Sequence, residues 1–153
     1  MSSREKSAEV KLPIPEQIGD YKILSRIAIG GMGETFLAQD PLLQRKIVIK
    51  RARPDLTQHQ IIKDRFHKEV KITSSLFHPS IIPVYAVHEA KDHIYYTMPF
   101  VEGKTLKQIL RDSVSDEKNG STTWTINSLM RIFINVCHGL SYCHSRGILH
   151  RDL

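Results

Sequence analysis

The sequence predicts an α+β fold in which a small sheet with one helix is followed by further helices. Two observations support this prediction. Short stretches alternate between apolar and polar residues, as strands do, and two longer stretches repeat apolar residues every three or four positions, as amphipathic helices do. The predicted order is three strands, a helix, two strands, a connector and then helices. At 153 residues the chain suits one domain, or part of a larger one.

The first three strands are predicted between residues 20 and 50. Residues 20–29 alternate in polarity, residues 35–38 are β-branched, aromatic and aliphatic, and residues 46–50 form the third strand. Asp40-Pro41 predicts a turn after the second strand. Residues 1–19 are largely polar and charged and contain two prolines, so we expect a flexible lead-in before the sheet.

A helix is predicted over residues 57–76, with Thr57 as its N-cap. Ile62 and Phe66 lie on one stripe of this helix, and Glu69 falls on the same stripe. A carboxylate on a core-facing stripe is costly unless it is paired with a cation. Glu69 is therefore either a solvated rim residue or the partner of a specific basic side chain, for which Lys50 is a candidate.

The second half of the chain contains two strands and two helices in the prediction. The predicted elements are strands over 81–87 and 93–98, a short helix over 105–111, a loop over 112–124 and a long amphipathic helix over 127–146 that ends at Gly147. Pro99 ends the last strand because proline cannot donate a hydrogen bond to the ladder.

The stretch 27–36 contains three glycines within four residues. A glycine-rich loop can aim its backbone N–H groups at phosphate oxygens, although a hairpin turn without a ligand has the same pattern. A dinucleotide-binding Rossmann turn requires a helix after the glycines, whereas a strand is predicted here. A Walker P-loop that ended at Gly103-Lys104-Thr105 would need its first glycine at position 98, which is methionine.

The overall composition narrows the class of partner. The net charge of +6 and the pI of about 9.4 favour acidic partners, which include nucleic acid, anionic membrane and nucleotide phosphate. The positive charges are spread along the chain, as on an ordinary solvated surface. No apolar run is long enough to cross a membrane, no secretory signal is recognised and no histidine or cysteine pair has zinc-binding spacing. We therefore expect a cytoplasmic protein with no membrane segment and no structural metal.

Four motifs, in a fixed order, resemble those of the Ser/Thr protein kinase family over residues 21–153. They are the glycine hairpin, the strand Ile47-Val48-Ile49-Lys50, Glu69 in the following helix and the segment His150-Arg151-Asp152-Leu153. Residues 95–103 and 144–147 look particularly like the PknD-type kinases of chlamydiae. The resemblance implies a protein-kinase-like small lobe, with a five-stranded antiparallel sheet plus one helix, and the first helices of an incomplete large lobe. The implied divisions are a lead-in over 1–19, the small lobe over 20–98, a hinge over 99–103 and the start of the large lobe over 104–153.

The resemblance also implies the site residues. ATP would be bound by Ile27, Ala28, Ile29, Gly30, Gly31, Met32, Gly33, Glu34, Thr35, Val48, Lys50, Met98, Pro99 and Val101. The Lys50 ammonium, oriented by Glu69, would hold the α- and β-phosphates, and Asp152 would accept or orient the proton of a substrate Ser/Thr hydroxyl. Met98 would be the gatekeeper, and the Pro99 carbonyl and the Val101 N–H would meet the adenine edge.

The sequence departs from the family pattern in two ways. Ala28, Thr35 and Val48 replace a glycine, a valine and an alanine, and we expect each replacement to weaken ATP binding. The family's Mg²⁺ ligands and activation segment would follow Leu153, so we expect Mg²⁺ in the family but no phosphotransfer by the isolated chain. We also expect its long helix to expose an apolar stripe.

Three functions remain after the sequence analysis. The first is an ATP-dependent Ser/Thr protein kinase that acts on a protein substrate. The second is a non-catalytic, kinase-like fragment that binds a nucleotide or a protein. The third is a basic nucleic-acid-binding domain, which ranks last because no recognised motif supports it, so no nucleic acid partner is expected.

Overall fold

The computed structural model describes residues 12–31, 33–57, 59–90, 93–118 and 124–150. Within them the chain forms a six-stranded antiparallel sheet with strand order β1-β2-β3-β4-β6-β5. The strands are β1 (Gln17–Ile18), β2 (Tyr21–Ile29), β3 (Gly33–Gln39), β4 (Lys46–Ala52), β5 (Ala86–Ala90) and β6 (His93–Pro99). The helices are α1 (Gln60–Ser74), α2 (Leu106–Lys118) and α3 (Ile126–Ser145), and a 3₁₀ turn (Pro54–Leu56) precedes α1.

The sheet matches the prediction at its centre and differs at both edges. β2, β3, β4 and β6 lie where the sequence predicted strands. The short strand β1 lies in the segment assigned to the lead-in and adds a sixth strand to the predicted five. The strand predicted at 81–87 begins only at Ala86, because Pro83 has no N–H to donate to a ladder.

The start of α1 and the extent of α2 differ from the prediction. Thr57 is not the N-cap of α1, because its hydroxyl donates to the Pro54 carbonyl at 2.8 Å and closes the preceding 3₁₀ turn. The predicted loop over 112–124 is wrong in its first part, since α2 continues to Lys118. The polar residues of this stretch are compatible with a helix, and no proline or glycine interrupts them before position 120.

α3 begins and ends close to the predicted positions. Its N-cap is Thr125, whose hydroxyl accepts a hydrogen bond from the Ser128 N–H at 3.2 Å. Gly147 follows its last turn with a φ of +70°, and the Ile148 N–H reaches back to the Cys143 carbonyl at 3.0 Å. This is the geometry of a glycine C-cap. No helix in the described ranges is both long and apolar enough to span a bilayer.

Each face of the sheet carries its own apolar cluster because neighbouring residues of a strand point to opposite sides. On one face, Phe36 and Ile49 pack in a cluster that includes Ile18 from β1. The members of this cluster are Ile18, Ile23, Phe36, Ala38, Ile47, Ile49 and Tyr95. The other face packs against α1 through Ala52, Phe66, Val70, Ile94 and Tyr96, and we call it the α1 face.

Candidate nucleotide-binding site

An open cavity of about 260 Å³ lies between the β2–β3 hairpin, β4 and α1. Its lining residues are Ala28, Ile29, Gly30, Gly31, Gly33, Thr35, Lys50, Phe66 and Glu69. Eight of these nine residues, all except Phe66, belong to the set predicted from the motifs, although they come from four elements, β2, β3, β4 and α1, and from the β2–β3 turn. The site is therefore assembled by the pairing of β2, β3 and β4 and by the packing of α1 against them.

The glycine hairpin presents bare backbone at the cavity. The Gly30 N–H donates to the Gly33 carbonyl at 2.7 Å and closes a tight turn, which leaves Gly31 at the tip. A Cβ at Gly31 would meet nothing within 4 Å, and one at Gly30 would meet only the Gly33 carbonyl at 3.5 Å. Neither residue has a positive φ. Their missing side chains therefore serve no need of the turn itself but leave the backbone at Gly31 uncovered, whereas the Gly30 N–H is already bonded to the Gly33 carbonyl.

Gly33 is required for a different reason, which is close packing. A Cβ at this position would lie 2.9 Å from the Arg51 carbonyl oxygen and 3.7 Å from both Lys50 Cε and the Phe66 ring. Backbone atoms cannot give way as the end of a flexible side chain can. Glycine at 33 thus allows β3 to approach Lys50 and Phe66.

Glu69 has the specific basic partner that its place on the apolar stripe suggested. Lys50 Nζ on β4 lies 2.5 Å from Glu69 Oε1 on α1, and both side chains are about 30% exposed. The Tyr96 hydroxyl on β6 donates to the same oxygen at 2.9 Å. The carboxylate is thereby held from two sides, and the lysine ammonium is kept at the wall of the cavity.

Tyr96 was not predicted as a site residue. It lies directly opposite Lys50 in the β4–β6 register, so both side chains lie on the α1 face. Burial raises the pKa of the Tyr96 hydroxyl far above its ordinary value of 10.0, and the negative charge of Glu69 and the hydrogen bond to it act in the same direction. The hydroxyl therefore stays protonated near neutral pH and can donate its hydrogen bond to Glu69. The alternation of β6 could have placed Tyr96 on the α1 face, but its partner depended on the register.

Four of the predicted ATP-binding residues, Ala28, Thr35, Val48 and Met98, share the α1 face of the sheet. The register pairs Ala28 with Thr35 and Val48 with Met98, and Thr35 lies opposite Lys50. Leu37 follows Thr35 by two positions and so lies on the same face, opposite Val48.

The remaining predicted residues are not among those that line the cavity. Pro99 is the last residue of β6, opposite Ile47, and Val101 follows it with 66% of its surface exposed. Ile27 lies in β2 and is half exposed. Met32 and Asp152 fall outside the described residues.

Glu34 is not brought into the cavity. Its side chain is fully buried on the opposite face of the sheet, where Arg26 and Arg51 contact its carboxylate. The reason is the alternation of β3: Thr35 faces the cavity, so its neighbour Glu34 must face away. Only the backbone of Glu34 remains near the predicted nucleotide.

The lining of the cavity combines two kinds of group that attract anions. The glycine backbone lies on one side and the Lys50 ammonium on the other, and peptide N–H groups and an ammonium both attract negatively charged oxygens. Within the described ranges, no group of three or more His, Cys, Asp or Glu residues is arranged to hold a metal ion.

Comparison with known sequences gives one consistent family. Residues 21–153 match the protein kinase domain. The chain is 50% identical over 153 residues to the serine/threonine-protein kinase PknD of Protochlamydia amoebophila and 44% identical over 138 residues to PknD of Chlamydia pneumoniae. These alignments cover 97% and 87% of this chain, and the chain spans 15% of the length of each of these curated relatives.

Solved structures show the same fold. The PknI kinase domain of Mycobacterium tuberculosis is similar with a TM-score of 0.61 and 26% identity, over 87% of this chain and 51% of that one. A point mutant of that domain gives a TM-score of 0.66 at 24% identity, over 93% and 56% of the two chains. The fold is thus that of a kinase small lobe with part of the large lobe. With the domain match over residues 21–153 and relatives at up to 50% identity, the chain belongs to the Ser/Thr protein kinase family.

Proposed function

We propose that the cavity binds ATP and that the protein transfers its γ-phosphoryl group to a Ser or Thr hydroxyl of a protein substrate. The observation that carries the proposal is the Lys50–Glu69 ion pair beneath the bare backbone of the glycine hairpin. An ammonium held in place by a carboxylate stabilises the negative charge of phosphates without having to reorganise when they bind.

Each part of the site has a distinct role in this proposal. The hairpin N–H groups cover the phosphates, and Lys50 holds the α- and β-phosphates while Glu69 and Tyr96 fix its orientation. Met98 borders the adenine as gatekeeper, and the Pro99 carbonyl and the Val101 N–H meet its polar edge. Ile27, Ala28, Thr35 and Val48 enclose its faces.

The nucleotide supplies the activated phosphoryl group, and Mg²⁺ accompanies it in the family. Asp152 orients the substrate hydroxyl in this proposal and accepts its proton. A cytoplasmic location, where protein substrates and ATP meet, belongs to the same proposal.

Replacing Lys50 tests the nucleotide site directly. We expect Lys50→Met to lower ATP affinity by about tenfold to a hundredfold, because a charge-assisted contact to phosphate contributes about 1.5–3 kcal/mol. Calorimetric titration with ATP and with adenosine checks this, and adenosine affinity should change little because adenosine has no phosphates. Lys22→Met, on the exposed surface of β2, is the matched control.

Two results would separate the candidate functions. Equal ATP affinity in Lys50→Met and in Lys22→Met would contradict the proposed site. The non-catalytic binding module would be favoured instead if the full-length protein bound ATP but showed no Mg²⁺-dependent phosphotransfer to casein or to itself.

A further inference from the structure

Glu34 is the most deeply buried carboxylate among the described residues, and the nucleotide site does not use its side chain. It is 0% exposed, although it directly follows Gly33 at the base of the hairpin. Arg51 Nη2 donates to its Oε2 at 2.7 Å, and Arg26 Nη2 lies 3.1 Å from its Oε1. A carboxylate removed from water in this way is stable only because both cations accompany it.

The two arginines are themselves largely buried. Their side chains are 15% exposed at Arg26 and 13% exposed at Arg51, and both guanidinium groups lie over the Phe36 ring, 5.6 and 5.2 Å from its centroid. A planar guanidinium is well suited to a site that combines an ion pair with aromatic stacking. Arginine and not lysine at both positions is explained by this double contact.

The cluster joins three strands at the level of the hairpin. Arg26 is on β2, Glu34 on β3 and Arg51 on β4. Arg26 Nη2 also donates to the carbonyls of Leu12 and Pro13, at 2.6 and 2.9 Å, and so ties the segment before β1 to the same point. One carboxylate on β3 therefore connects β2 and β4, the strands on either side of it.

The neighbours of the paired residues lie on the other side of the sheet. Glu34 is opposite Arg51 in the β3–β4 register, and Thr35 is opposite Lys50. The residue before Glu34 is Gly33, whose Cα lies so close to Arg51 that a Cβ would clash with the Arg51 carbonyl. Loosening the Glu34–Arg51 pair would thus move the hairpin backbone relative to Lys50.

We propose that Glu34, held by Arg26 and Arg51, is a positioning residue that sets the distance between the glycine hairpin and Lys50. The inference rests on the proposed ATP site. It assigns Glu34 an indirect role: the side chain acts on the phosphate subsite through the backbone and has no contact with the nucleotide. The adenine subsite, formed farther along β3, β4 and β6, does not depend on it.

The substitution Glu34→Gln tests the inference. We expect ATP affinity to fall about tenfold, within the range of couplings carried by residues that do not touch a ligand, while adenosine affinity changes less than about twofold. Glu89→Gln, which removes an exposed carboxylate on β5 that lies 3.4 Å from His67 on α1, is the matched control and should leave both affinities unchanged. Glu34→Asp, which keeps the charge but shortens the side chain, should give an intermediate loss.

A second readout does not require nucleotide. Amide hydrogen exchange at residues 29–35 should accelerate in Glu34→Gln and stay unchanged in Glu89→Gln. If Glu34→Gln does not fold, Arg26→Gln carries the test, with a smaller loss of ATP affinity, because Arg51 still pairs with the carboxylate.

The outcomes separate this inference from the proposed function. Failure of the unmodified protein to bind ATP would contradict the proposed function, and the exchange measurement would then decide the positioning role alone. Unchanged ATP affinity and unchanged exchange in Glu34→Gln would overturn the inference. Equal losses for ATP and adenosine would also overturn it, because they would show a general structural role.

Discussion

The position of Glu69 can be understood from the free-energy cost of placing a carboxylate against an apolar core. A carboxylate on an apolar helix stripe needs compensation, and Lys50 and Tyr96 provide it from two different strands. The same reasoning applies to Glu34. Because side chains alternate along β3, Glu34 points away from the cavity and toward two arginines. Glu69 on α1 thus holds the lysine on one side of the sheet, and Glu34 on β3 holds the hairpin from the other side.

At the residue scale, Tyr96→Phe should change the pH dependence of stability. The Tyr96 pKa is raised in the folded protein, so its contribution to stability is complete below the ordinary value of 10.0. As pH rises further, the unfolded state releases this proton while the folded state keeps it, and stability falls. At neutral pH, Tyr96→Phe should have a free energy of unfolding about 1.5 kcal/mol lower, because the hydrogen bond to Glu69 is lost. Above about pH 10, its free energy of unfolding should fall less steeply with pH than that of the unmodified protein.

Urea unfolding at neutral and alkaline pH checks this prediction. Tyr85→Phe is the control, because Tyr85 is exposed. Some alkaline decline should remain in Tyr96→Phe, since burial also raises the pKa of Tyr21 and Tyr95. An alkaline slope identical to that of the unmodified protein would contradict the assignment.

At the scale of the elements, both helices of the second half follow a threonine, and the sequence analysis started the first of them at Thr105 without naming either threonine as a cap. Thr105 and Gln108 bond reciprocally at the start of α2, with the Gln108 N–H to Thr105 Oγ1 at 3.2 Å and the Thr105 N–H to Gln108 Oε1 at 2.7 Å. Thr125 caps α3 in the same way through its hydroxyl. The predicted cap at Thr57 failed because that hydroxyl serves a preceding 3₁₀ turn instead. A capping residue can be recognised from sequence, but which turn it closes depends on the local backbone.

Thr125→Ala should therefore destabilise the protein by about 1 kcal/mol, because the first turn of α3 loses its side-chain acceptor. Thr125→Ser keeps the hydroxyl, so its free energy of unfolding should fall much less. Circular dichroism during urea unfolding measures both. A loss in Thr125→Ser equal to that in Thr125→Ala would show that the hydroxyl does not carry the effect.

At the scale of the whole molecule, Phe66 connects the core to the site. It is 0% exposed, packs on Tyr96 with ring centroids 5.7 Å apart and lines the cavity beside Lys50 and Gly33. The same side chain therefore contributes to the stability of the α1 face and to the position of α1, which carries Glu69. Farther along the chain, α3 exposes Phe133 and Val136 of its apolar stripe, whereas Cys143 of the same stripe is buried.

Phe66→Ala should destabilise the protein by about 3–5 kcal/mol, because it removes a fully buried aromatic side chain and leaves a cavity. Phe77→Ala is the matched control, since Phe77 is 76% exposed and should cost well under 1 kcal/mol. Urea unfolding of both variants checks the difference. Similar losses in the two variants would mean that α1 does not pack on the sheet as described.

The sequence alone determined the order of the elements, the long helix to Gly147, the glycine hairpin and the family motifs. These features are local: they follow from polarity patterns, turn residues and short motifs, each encoded within a few positions. It also indicated that Glu69 needed a basic partner and named Lys50. The boundary at Thr57 was missed because the preceding 3₁₀ turn takes its hydroxyl. The boundaries at Ala86 and Lys118 were missed although the sequence carried a signal for each, namely Pro83 and the absence of a proline or glycine before position 120.

The tertiary structure decided toward which side of the sheet the side chain of each hairpin residue points. The motif places Glu34 among the nucleotide-binding residues, but β3 turns its side chain to Arg26 and Arg51. Tyr96 joins Glu69 only because the β4–β6 register sets it opposite Lys50. Such contacts join residues far apart in the chain, and a shift of one position in register would send each side chain to the other face. A linear sequence does not display that register, so the structure had to supply it.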